Sequence, residues 1–116
     1  MSDLQVTISD GPKQGIKIIS LTGEMDESRI EPLRQQVETL YNDASIKILL
    51  FDLGKLEFIN SKGIGYLVSV HTHLSKYQKI LVLAAANEAV MDVISLVGLT
   101  TIIKYFSSVE EALNVL

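Results

Sequence analysis

Residues 46–66, IKILLFDLGKLEFINSKGIGY, constrain the fold more than any other stretch of this chain. Ile48-Leu49-Leu50-Phe51 is an unbroken apolar run, short and without the polar alternation of a half-wet strand. It predicts a strand covered on both faces. A short polar turn then leads to Asn60-Ser61-Lys62-Gly63, after which Ile64, Leu67, Val68, His71 and Leu74 recur at helical spacing. Asn60 or Ser61 suits the cap of that helix, since a short side-chain oxygen accepts a first-turn amide. A buried strand that ends in an exposed turn and a helix start brings free backbone donors together on a rigid base.

The flanking sequence extends this unit in both directions. Leu4, Val6 and Ile8 alternate with Gln5, Thr7 and Ser9, the pattern of a strand with one wet face. Asp10-Gly11-Pro12 turns the chain, and Ile16, Ile18, Ile19 and Leu21 form a second strand, so the first is an antiparallel edge. Gly23-Glu24-Met25-Asp26 reads as a turn into a helix bearing Ile30, Leu33, Val37, Leu40 and Tyr41, with Asp26 as its cap. Pro32 falls late for that cap, which moves the regular helix toward Glu31.

Beyond the central helix, residues 80–85 form a second fully apolar strand whose alanines admit a close helix. Asn87 caps a helix with Val90, Met91, Ile94 and Val97 inward, closed by Gly98 with Leu99 folding back on Ile94. Ile102, Ile103 and Tyr105 make a last strand, and Ser108 with Glu111 forms a capping box for a final helix. The order β-β-α-β-α-β-α-β-α predicts a single α/β domain over residues 1–116, with parallel pairing in its later strands. Strands are expected near 4–9, 16–22, 47–53, 79–85 and 101–105, with Leu49, Phe51, Leu67, Val82, Ile94 and Leu113 in the core.

Charge and composition narrow the function classes. A net charge of -4 without any Lys/Arg block argues against nucleic acid and anionic membranes as partners. No apolar run is long enough to insert in a bilayer, and the start lacks a signal-type pattern. The absence of cysteine removes disulfides, thiol catalysis and thiolate metal sites, and favours the cytoplasm. No lysine sits in a Gly-rich phosphate loop. His71 and His73, two apart on one helix, point to different faces and cannot share a metal. Asp52, at the end of the buried strand, is expected to tie down the Leu53-Gly54 turn through backbone amides. Gly63 and Gly65 fit close helix-to-sheet contact. Ser61 stands exposed in the positive field of a helix start but has no base beside it, so it is no activated nucleophile. No cofactor or metal site is expected.

The chain resembles a STAS domain, and within that family an anti-sigma factor antagonist. The resemblance rests on Gly23-Glu24-Met25-Asp26, on ILLFDLGKLEFINSKGIGYL, on ILVLAAANEAVMDVISLVGLTTIIKYF and on the closing SSVEEAL, and it covers essentially the whole length. It implies a mixed, mostly parallel five-stranded sheet with four helices and an antiparallel N-terminal edge strand. It also implies a protein partner, an anti-sigma factor that is itself a serine kinase. In the family, that kinase phosphorylates a serine or threonine at the start of the second helix, the complex dissociates, and a phosphatase resets it.

Laid over this chain, the family motif Asp-Ser-Ser/Thr-Gly falls on Asn60-Ser61-Lys62-Gly63. Lys62 takes the acceptor position, and an amine does not form the usual stable phosphate ester. The expectation is a domain that keeps its docking surface and loses the standard switch, with Ser61 as the one remaining candidate for phosphorylation. The partner-binding surface expected from the residues is Asn60, Ser61, Lys62, Gly63 and Ile64, flanked by Glu24, Met25 and Asp26. Met25 would supply an adaptable apolar contact there. The competing reading is a small-ligand or catalytic domain using Asp52, His71 and Ser61 around a pocket. A third is an accessory STAS subunit of a transport or signalling complex. Weak self-pairing as a homodimer is compatible with each.

Overall fold

In the computed structural model, residues 3–116 are described. Five strands form one sheet in the order β1-β2-β3-β4-β5: β1 (Gln5–Asp10), β2 (Ile16–Met25), β3 (Ile48–Ile59), β4 (Ile80–Ala84) and β5 (Lys104–Phe106). β1 pairs antiparallel with β2 at the edge, and the remaining neighbours are parallel. Four helices, α1 (Ile30–Glu38), α2 (Ser61–Lys76), α3 (Glu88–Leu96) and α4 (Val109–Val115), follow β2, β3, β4 and β5 in turn. This is the expected α/β architecture of mixed, mostly parallel strands.

The consecutive order of β2 to β5, with crossovers of one hand, forces α1, α2 and α3 onto the same face of the sheet. Burial follows that rule. Leu49, Phe51 and Leu53 of β3 share a core with Leu33 and Val37 of α1, Leu67, Val70 and Leu74 of α2, and Val90 and Ile94 of α3. On the opposite face Leu50, Val82 and Ala84 meet Ala112 of α4, and the alanines there permit the close approach. Leu113 is only half-buried at the rim of this second core.

Two elements differ from the sequence-based expectation. β3 does not end in a turn after Leu53-Gly54 but continues to Ile59, and β2 continues to Met25 beside it. The ladder survives because β3 takes up an extra residue twice. Ser20 and Thr22 pair with Asp52 and Lys55, and Gly23 and Glu24 pair with Leu56 and Phe58. Each such bulge shifts the inward-facing set by one residue. Buried Leu53, Leu56 and Ile59 therefore recur every third position, which breaks the two-residue period of a regular strand.

The last strand is also shorter than expected. Gly98 adopts the left-handed conformation (φ 73°) that ends α3, and a 3-10 turn over Leu99–Thr101 follows. That turn holds Leu99 and Ile103 inside and leaves Ile102 outside, so pairing begins only at Lys104. The box at α4 is half as expected. Ser108 Oγ accepts from Glu111 N at 3.0 Å, while the Glu111 carboxylate reaches the backbone N–H of Ser107 at 3.4 Å.

Leu49 is fully buried at the centre of the larger core. Leu49→Ala should destabilise the protein by about 2–5 kcal/mol, through lost apolar burial and a cavity that closes only in part. Chemical denaturation measures it, and a loss below about 0.5 kcal/mol would be incompatible with that position.

Candidate functional site

The end of β3 and the start of α2 meet as the sequence implies, with the cap now assigned. Asn60 Oδ1 accepts from Gly63 N at 3.0 Å, and Asn60 N donates to Met25 O at 3.3 Å. Asn60 is therefore bound to both the strand beside it and the helix it opens. Ser61 is not the cap. Ser61 and Lys62 are exposed on the first turn. α1, α3 and α4 each carry an acidic residue in the first turn, whereas α2 has none. Lys62 thus adds positive charge to the positive end of the helix dipole.

Gly63 is required by contact, not by backbone angle. A Cβ built on it would lie 2.7 Å from the carbonyl oxygen of Met25 and 2.7 Å from Cγ1 of Ile59. Gly65 is different: a Cβ there would meet nothing within 4 Å. The expected close-contact role holds for Gly63 and fails for Gly65, which lies on the exposed face one turn beyond Ser61.

Three of the eight residues expected at the partner-binding surface, Met25, Gly63 and Ile64, are buried. Met25 is 0% exposed and belongs to the larger core, so it cannot serve as a surface contact. Ile64 is also buried. These two, with Gly63, set the position of the exposed turn from beneath. Met25 was recognisable in the sequence from the alternation Leu21, Gly23, Met25, which continues the period of β2 through the apparent loop motif. Phe58 has the opposite character: it lies in β3 next to the turn, yet is 48% exposed.

Asp26 does not cap α1. The helix begins at Ile30 with Arg29 at the cap position, and no side chain bonds to its first amides. Pro32 then sits in the first turn, where its missing N–H costs nothing. Asp26 instead closes the preceding turn: Oδ1 accepts from Ser28 N (3.0 Å) and Ser28 Oγ (2.7 Å), and the other oxygen pairs with Arg29. Glu24 stands 4.0 Å from the same guanidinium. The Ser28 hydroxyl holds the Asp26 carboxyl below the usual carboxylate range. Burial pushes the other way, and the Arg29 charge and the Ser28 amide assist the lowering.

The residues of the catalytic alternative do not come together. Ser61 and His71 are ten positions apart on one helix, roughly 15 Å along its axis. Asp52 follows the alternation of β3 onto the α4 side of the sheet, the face of Leu50, whereas α2 covers the other face with Phe51. Its carboxylate accepts from Gly54 N at 2.9 Å, the expected bond, made at a bulge and not in a turn. His71 is half-buried, and His73 stacks on Tyr41 with ring centroids 5.2 Å apart. A cleft of about 250 Å³ between α1 and α2 includes Arg34, Tyr41, His73 and Tyr77, and one of about 500 Å³ lies by the β1–β2 hairpin. Neither contains Asp52, His71 or Ser61. No group of three or more His, Asp or Glu able to hold a metal occurs among the described residues. No helix among them is long and apolar enough to cross a membrane.

Two measurements check this geometry. Gly63→Ala should destabilise the fold, because the new methyl meets Met25 main chain, whereas Gly65→Ala should stabilise it by up to about 1 kcal/mol through helix propensity. Denaturation of the two variants side by side separates them. For Asp26, a lowered folded pKa means stabilisation that is present above the unfolded value and lost as pH falls through the folded one. Acid titration of stability should therefore show a smaller loss below about pH 4 for Asp26→Asn than for the wild type.

The STAS domain family model matches residues 8–112. Among solved structures, the chain is similar to an anti-sigma factor antagonist from Mycobacterium paratuberculosis, with 24% identity, a TM-score of 0.85 and coverage of 97% of this chain and 93% of that one. The Bacillus cell fate determinant SpoIIAA in its phosphorylated form is 20% identical with a TM-score of 0.70, covering 96% of each chain. The murine Solute Carrier 26 family member A9 anion transporter is 16% identical with a TM-score of 0.76, over 99% of this chain and 22% of the transporter. The same fold thus occurs in separate regulators and as one part of a transporter. By its sequence match over most of its length, this chain belongs to the STAS domain family.

Proposed function

We propose that this chain is a protein-binding regulatory module that docks through the first turn of α2 and works without catalysis. The partner proposed is an anti-sigma factor of the serine-kinase class, met in the cytoplasm. The observation that carries the reading is the pair Ser61-Lys62, exposed on a turn that Asn60, Gly63 and Met25 fix from below. A rigid, exposed turn suits recognition, since little side-chain or loop ordering is needed on binding. Similarity to anti-sigma factor antagonists supports this partner class.

The phosphorylation switch of the family is proposed to be lost. Lys62 stands at the acceptor position and offers no hydroxyl. Ser61 offers one, but it lies one residue earlier on the helix, with its side chain about 100° away around the axis. Lys62 instead selects a partner with a carboxylate opposite it, because reversing its sign would replace attraction by repulsion with little change of shape.

Calorimetry against a purified serine-kinase-type anti-sigma factor tests both parts. Lys62→Glu should weaken binding at least about tenfold, or 1.4 kcal/mol, while changing stability by no more than about 0.5 kcal/mol. Lys62→Ser should largely keep the affinity and regain a phosphate acceptor, located by mass spectrometry after incubation with the kinase and ATP. Equal affinities for all three proteins would remove Lys62 from the interface. Rapid, stoichiometric phosphorylation of Ser61 in the wild type would show a switch displaced by one residue and not lost.

A further inference from the structure

α1 and α2 lie on one face of the sheet and run the same way, because each returns the chain between parallel strands. Arg34, Glu38 and Tyr41 succeed one another at helical spacing along α1 and the turn after it. Tyr66, Ser69 and His73 do the same along α2. Between the two rows lies the cleft of about 250 Å³, below the roughly 300 Å³ of a site for drug-sized molecules, so it suits a smaller ligand. Its aromatic wall is ordered. The rings of Tyr41 and His73 are parallel to within 2°, and His73 Nδ1 donates to the carbonyl oxygen of Ser69 at 2.8 Å. Tyr77, half-exposed, extends the same wall.

Three polar groups of this region are incompletely partnered. Tyr66 is buried, and its hydroxyl is shielded from water without any hydrogen bond. A buried hydroxyl left so is costly. Burial pushes it far above the usual tyrosine range; Tyr41 adds to the rise, Arg34 opposes it, and Glu38 adds further. The hydroxyl therefore lies among the groups that line the cleft, and it keeps its proton. The Arg34 guanidinium sits over the Tyr66 ring, 5.1 Å from its centroid, and meets Glu31 through Nε at 3.3 Å, which leaves its terminal nitrogens available. Glu38, one helical turn further on, belongs to none of the ion pairs formed among the described residues.

We propose that this cleft binds a free amino acid with a flat aromatic side chain, its carboxylate on Arg34 and the Tyr66 hydroxyl and its ammonium on Glu38. The charges select the class. A simple anion would meet Glu38 and a simple cation would meet Arg34, whereas an amino acid carries both signs a few bonds apart. The side chain packs against Tyr77 and the Tyr41–His73 pair, where aromatic contacts add to area burial. The site is distinct from the docking turn: Ser69 follows Ser61 by eight positions, about 12 Å along α2. The inference does not depend on the partner proposed for that turn.

Amide NMR spectra of the purified protein, titrated with L-phenylalanine to about 10 mM near neutral pH, test it without any protein partner. Saturable shifts centred on the cleft are expected, with a dissociation constant of about 1 mM or lower. Phenylacetate, which lacks the ammonium, phenethylamine, which lacks the carboxylate, and L-alanine, which lacks the ring, should each bind at least about tenfold more weakly. Arg34→Gln and Glu38→Gln should each cause a similar loss while the spectrum of the free protein stays folded. Tyr66→Phe should weaken binding and leave stability equal or higher, since it deletes an unsatisfied hydroxyl; a merely structural tyrosine would change stability alone. No saturable shift with L-phenylalanine overturns the proposal, as does unchanged binding in both Arg34→Gln and Glu38→Gln. Phenylacetate or phenethylamine binding as tightly as L-phenylalanine overturns the assignment to amino acids.

Discussion

The contact between the Cα of Gly63 and the main chain of Met25 sets how closely α2 can lie against the ends of β2 and β3. With no Cβ at residue 63, the helix begins almost on top of the strand ends, and the Asn60 side chain spans the junction. Met25 and Ile59, paired across the two parallel strands, form the floor. The exposed turn is consequently fixed by core residues, so its placement shares in the cooperativity of the whole domain. A larger residue at 63 would lift the helix, and with it Leu67 and Val70, away from Phe51 and Leu53. The surface geometry of Ser61 and Lys62 is therefore a property of the core.

This dependence explains which parts were legible in the sequence. The apolar runs at 48–51 and 80–84, the stripe of α2 and the caps Asn60 and Asn87 announced themselves because each uses a local rule. The second half of β3 did not. Two bulges move the inward set to Leu53, Leu56 and Ile59, and Gly54, with Asp52 and Lys55 close by in sequence, imitates a turn. What keeps that segment extended is the partner strand β2, which is distant in sequence. Met25 was misplaced for the same reason: its neighbours Glu24 and Asp26 look like a surface loop, while pairing with Ile59 carries Met25 inside. The cap at α1 failed differently. Asp26 does satisfy amide and hydroxyl donors, but those of Ser28, so the turn it closes delays the helix to Ile30.

Electrostatics distinguish α2 from its neighbours. α1, α3 and α4 place Glu31, Glu88 and Glu110 with Glu111 in their first turns, where carboxylates are favoured. In α2 that place is held by Lys62, and the nearby acids Glu24 and Asp26 are engaged by Arg29. The helix start therefore lacks the compensation that the rest of the fold supplies as a rule. Exposure keeps the cost small, about a few tenths of a kcal/mol in water. Within an interface the same charge counts for more, because the partner displaces the water that screens it. A carboxylate arriving from outside would complement both the lysine and the helix dipole at once.

The two ends of the sheet thus have opposite designs. At the C-terminal end of β3 the apolar residues Met25, Ile59 and Ile64 are withdrawn beneath a small polar turn, which gives a surface able to discriminate by charge and shape. At the N-terminal ends of β4 and β5 the interior is already filled by Ile94, Leu99 and Ile103, and Leu96, Val97 and Ile102 remain outside with little polar cover. Parallel strands with consecutive order keep these ends separate, because every crossover helix returns the chain to the same end of the sheet before the next strand begins. Substitutions in the exposed first turn of α2 can consequently leave the opposite end of the sheet and the shared core untouched.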